Sequence, residues 1–88
     1  MGSYKLEWKP SVHNDFKKIN KYQISKILQK AQELSHNPYP PGFKKLKDSS
    51  ESYRIRVGDY RLIYQVDKKE KIITVQMVRH RKDIYQKR

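Results

Sequence analysis

The chain is 88 residues long, carries 21 Lys and Arg against 9 Asp and Glu for a formal net charge of +12, and contains no cysteine. That length supports one domain, near the lower limit of what folds without staples, and the missing thiols exclude disulfides and cysteine-ligated metals. So basic a small domain is expected to bind a polyanion, with nucleic acid the first candidate.

The opening MGSYKLEWK lacks the apolar core of a secretion signal, and no apolar run approaches the roughly 20 residues of a membrane span. Together with the absence of cysteine this leads us to expect a cytoplasmic protein. Tyr4, Leu6 and Trp8 alternate with charged residues and predict a half-buried strand. Beyond Pro10, the residues Val12, Phe16 and Ile19 recur at i, i+4 and i+7 and predict a short amphipathic helix. Asn20 separates it from a second helix, whose stripe is Ile24, Ile27, Leu28, Ala31 and Leu34 and which ends at His36-Asn37-Pro38. Tyr39-Pro40-Pro41-Gly42 reads as a stiff loop. FKKLKDSS, from Phe43, then predicts a short edge strand with Leu46 inward.

YRIRVGDYRLIYQV, Tyr53 to Val66, reads as two strands joined at Gly58-Asp59. A two-residue turn sets Val57 against Tyr60, Arg56 against Arg61, Ile55 against Leu62 and Arg54 against Ile63. Tyr53, Ile55 and Val57 then share an apolar face with Tyr60, Leu62 and Tyr64. KIITVQMVR predicts a central strand covered on both sides, and HRKDIYQKR a short helix or tail. The order β-α-α-β-β-β-α describes an α+β protein, a single domain over residues 1–88. Its expected architecture is a twisted antiparallel sheet with a helical hairpin on one face and a short C-terminal helix.

The positive charge is unevenly typed. Residues 1–44 hold eight Lys and no Arg, whereas residues 45–88 hold seven Lys and all six Arg. Lysine suits a solvated helix face; the planar arginine fork grips phosphate oxygens in pairs. Arg54, Arg56 and Arg61 fall on the face opposite the apolar one, with Ile63 and Gln65, and Arg79 ends the last strand close by. Like charges directly opposite each other weaken a sheet, so positive charge alone at these positions points to an anion site. The three histidines, His13, His36 and His80, lie scattered without metal-ligand spacing, and three glycines make no phosphate loop.

YRIRVGDYRLIYQV followed by VQMVRHRKDIY resembles the RelE branch of the RelE/ParE toxin superfamily. The likeness extends more weakly through YKLEW, the helical hairpin and GFKKLKDSS to cover nearly the whole chain. The resemblance implies the toxin of a type II toxin–antitoxin system: a ribosome-dependent endoribonuclease that cuts mRNA in the ribosomal A site and inhibits translation. It implies no metal or other cofactor and no membrane, and as partners the ribosome, mRNA and an antitoxin with an acidic RelB-like segment. By position it carries catalytic roles to Arg54, Arg56, Arg61, Arg79 and Tyr85, with His80 a candidate proton acceptor. Lys45, Lys47, Arg81 and Lys82 are the expected RNA contacts. Arg54 and Arg56 stand where the best-known members have lysines, and arginine is a poor base because its pKa exceeds about 12. Strand parity sends His80 to the face opposite Arg79. The same fold hosts ParE, which poisons DNA gyrase, and a non-catalytic rRNA-binding protein is a further alternative.

Overall fold

The computed structural model describes residues 3–46 and 52–82. Strand β1 (Lys5–Trp8) leads to α1 (Ser11–Phe16) and α2 (Lys21–His36), followed by β2 (Lys44–Lys45), β3 (Ser52–Val57), β4 (Tyr60–Asp67) and β5 (Ile72–His80). The five strands form one sheet in the order β1-β5-β4-β3-β2, an α+β architecture as expected. The expected C-terminal helix lies largely outside the described residues.

Local chemistry accounts for the elements. Asn20 caps α2, its side-chain oxygen accepting from the Gln23 N–H at 2.9 Å, which satisfies one of the donors a helix start leaves orphaned. Ile27, Ala31 and Leu34 of α2 are fully buried, whereas Leu28 is 43% exposed, so the stripe is narrower than its sequence pattern. They pack with Val12 and Ile19 against Ile55, Leu62, Tyr64, Val66, Ile73, Val75 and Val78 of the sheet. At the hairpin, Gly58 has φ +60 while Asp59 does not take a positive φ, the pattern of a II′ turn with glycine first. The register follows: Val57 opposite Tyr60, Arg56 opposite Arg61, Ile55 opposite Leu62 and Arg54 opposite Ile63.

The sheet is antiparallel except at one edge. There β1 runs parallel to β5, with Lys5 opposite Ile72 and Trp8 opposite Val75. The helical hairpin carries the chain from β1 at one edge of the sheet to β2 at the other. A register shift at Ile63/Tyr64 accommodates one extra residue on β5, and Gln76 there donates to Gln65 across the strands at 3.0 Å. The other side of the core is held by aromatic rings. Tyr53 stacks on Tyr64 and meets Tyr39 edge-on, and the Tyr64 hydroxyl donates to the Pro38 carbonyl at 2.6 Å, tying the proline loop to the sheet. Burial, and then the neighbouring Tyr39 and Tyr53, push the Tyr64 pKa well above its ordinary value. Among the described residues, no helix is long and apolar enough to cross a membrane.

Candidate phosphate-binding face

With α2 covering the face that carries Ile55, Leu62 and Val78, the alternate residues of β3, β4 and β5 form the other face. Two register rows define its chemistry. Arg56, Arg61 and Arg79 stand side by side across the three strands, and in the next row Arg54 lies opposite Ile63, which lies opposite Met77. Directly opposed side chains in such rows have Cβ atoms about 5 Å apart, so three guanidinium groups share a narrow strip. Lys44 extends the second row, since it pairs with Arg54 from β2.

The central arginine is the least accessible. Arg61 is 6% exposed, whereas Arg56 is exposed and Arg54 and Arg79 are half-buried. β4 has a hydrogen-bonded strand on each side, and Arg56 and Arg79 stand directly opposite Arg61 on those strands. Among the described residues its one hydrogen bond runs from Nη1 to the Tyr60 carbonyl at 3.5 Å, and no carboxylate pairs with it. A desolvated cation without a counter-charge is costly, and an anion laid across the row relieves both that cost and the repulsion from its neighbours. Arg79 differs: its Nη1 donates to Asp15 of α1 at 2.6 Å.

The other predicted site residues disperse. His80 pairs with Tyr60 and meets its ring edge-on at 5.2 Å, on the helix-covered face and away from the arginine row; its Nδ1 accepts from the Lys82 N–H at 3.2 Å. Lys45 lies opposite Tyr53, on the parity of the apolar face, so Lys44 and not Lys45 joins the arginines. Arg81 and Lys82 are exposed just past β5, with the Arg81 N–H held by the Asp59 carbonyl at 2.8 Å. Lys47 and Tyr85 lie outside the described residues. Sequence reasoning overlooked Lys44, which the parity of β2 against Arg54 identifies, and Asp15, for which no local pattern exists.

A hollow of about 580 Å³ opens at the far end of the same strands, lined by Glu7, Gln65, Asp67, Lys68 and Thr74 among others. Gln65 is four residues from Arg61, about 13 Å along the strand. With both signs of charge and no arginine, the hollow is not part of the arginine row.

The family model described as the ParE toxin of the type II toxin–antitoxin system parDE matches residues 6–85. RelE1, a toxin candidate of Methanocaldococcus jannaschii, is 29% identical over 85 residues, covering 93% of this chain and 94% of its own. RelE in the archaeal RelE–RelB complex of Pyrococcus horikoshii superposes with a TM-score of 0.80 at 27% identity, over 90% of this chain and 96% of that one. The corresponding chain of the RelB–RelE complex from Methanococcus jannaschii gives 0.76 at 26% identity, over 93% and 98%. The chain therefore belongs to the RelE/ParE superfamily, as a toxin of a type II toxin–antitoxin system.

Proposed function

We propose that this toxin is a ribosome-dependent endoribonuclease that cleaves mRNA by attack of a ribose 2′-OH on the adjacent phosphorus. The P–O5′ bond breaks, leaving a 2′,3′-cyclic phosphate and a 5′-OH. One proton leaves the 2′ oxygen and one reaches the 5′ oxygen. The phosphorane between them carries two negative charges, so the reaction needs fixed positive charge where that charge develops. The observation that supports this reading is the arginine row, with Arg61 buried at its centre and, among the described residues, without a carboxylate partner.

In this reading Arg61 and Arg54 clamp the non-bridging oxygens, and Arg56 adds charge from the exposed side. Arg79 stabilises the leaving oxygen. Arginine cannot serve as the base, and His80 meets Tyr60 edge-on on the other face, so the proton acceptor comes from Tyr85, the ribosome or the RNA. Lys47, Arg81 and Lys82 hold flanking RNA, joined by Lys44 and Lys45. The partner is an antitoxin with an acidic segment, in keeping with the RelB-bound state of the structural relatives.

A second reading is favoured by the family model, which is named for ParE: poisoning of DNA gyrase on the same fold. Primer extension on a translated mRNA after induction separates the two. Ribosome-dependent cuts at codon positions support cleavage; gyrase-dependent DNA breaks with intact mRNA exclude it.

A further inference from the structure

β1 ends at Trp8, opposite Val75, so among the described residues the outer edge of β5 past that point has no strand beside it. α1 packs along this stretch, and Asp15 takes the place of a strand partner. Its Oδ2 accepts from the Val78 N–H at 3.0 Å while its Oδ1 accepts from Arg79 Nη1 at 2.6 Å. The Asp15 side chain is 15% exposed and that of Arg79 36%, so the pair is partly shielded and its bond is shorter than ordinary neutral ones.

The pairing has a directional consequence. Arg79 Nη1 also donates to the Val78 carbonyl at 3.4 Å, so both of its hydrogens are engaged. Among the described residues no hydrogen bond takes up Nε or Nη2. The Nε–Nη2 edge, with two parallel donors, is therefore the one left to bind two oxygens of a single phosphate. Asp15 also offsets one positive charge in a row of three, which lets Arg79 stand beside Arg61 without being driven from it. An arginine free of such an anchor spends rotamer freedom to reach one geometry; here that freedom is already spent before RNA arrives.

We propose that Asp15 is a positioning residue of the cleavage site, holding the Arg79 guanidinium by Nη1 so that its Nε–Nη2 edge meets the scissile phosphodiester. The proposal rests on the cleavage reading above. It is tested by a double-mutant cycle with Asp15→Asn and Arg79→Ala, measuring single-turnover cleavage of ribosome-bound mRNA and, separately, affinity for ribosomes carrying a 2′-deoxy, uncleavable codon. The asparagine oxygen still accepts from Val78 N–H, so docking of α1 is kept while the charged grip is lost. Asp15→Asn should slow cleavage at saturation about tenfold, leave affinity within about threefold, and cause no further slowing in the Arg79→Ala background. Equal slowing in both backgrounds, or faster cleavage by Asp15→Asn, overturns the proposal and leaves the cleavage reading standing. A wild-type chain that cuts no ribosome-bound mRNA overturns both. If Asp15→Asn melts early, Arg79→Lys decides: its ammonium still pairs with Asp15 but lacks the side edge, so it should lose as much rate as Arg79→Ala, and wild-type activity overturns the proposal.

Discussion

Two residues carry unusual environments for their type, and for opposite reasons. Arg61 is a cation with almost no access to water and, among the described residues, no anion beside it, an arrangement that costs stability unless a ligand arrives. Its position in the sequence indicated the row but not the burial, since strand alternation gives a face and not how deeply a side chain on it lies. Tyr64 is a phenol in the aromatic core, held by the Pro38 carbonyl. Its folded-state pKa is raised above the ordinary value of 10.0, so its contribution to stability is complete below about pH 10 and is lost as the pH climbs beyond it, where the unfolded chain ionises first. Tyr64→Phe should cost about 1–2 kcal/mol at neutral pH, from the stranded carbonyl, and should flatten the alkaline fall in stability. Urea titrations at pH 8 and pH 10.5 measure both; an unchanged alkaline slope in the variant would show that Tyr64 is not its source.

The β3–β4 hairpin was the most legible element, because a two-residue turn and strand alternation together determine the register. Gly58 is the residue on which that register rests. At φ +60 an alanine is strained, and its Cβ would stand 3.2 Å from Gln23 Oε1. Gly58→Ala should therefore destabilise by about 1–2 kcal/mol, read as a lower urea midpoint at unchanged m-value. A wild-type midpoint would mean that the turn does not determine the register. The parallel edge was not legible. Lys5–Trp8 alternates equally well for a parallel or an antiparallel partner, and its choice of Ile72–Val75 lies in the tertiary fold. Asp15 escaped for the same reason: its bonds to β5 span 63 and 64 residues.

At the scale of the molecule, a net charge of +12 on a body with a radius of gyration of 12.4 Å makes association with anionic partners strongly dependent on salt. Binding of an acidic antitoxin segment should weaken at least about tenfold between 50 and 300 mM salt, through slower association above all. Calorimetric titration at the two salt concentrations checks this, and equal affinities would contradict an electrostatically recruited partner. The same excess charge leaves no reserve of carboxylates to pair with the sheet arginines: among the described residues Asp15 alone forms an ion pair with one of them. Of the sheet arginines, Arg61 is therefore the one on which the proposed cleavage most depends. The most direct measurement is the single-turnover rate at which purified wild-type and Arg61→Ala proteins cut mRNA bound in the ribosome, alongside their melting temperatures. The expected result is a loss of about a hundredfold or more in rate, with a melting temperature no lower than that of wild type. Cleavage by Arg61→Ala at the wild-type rate would contradict it.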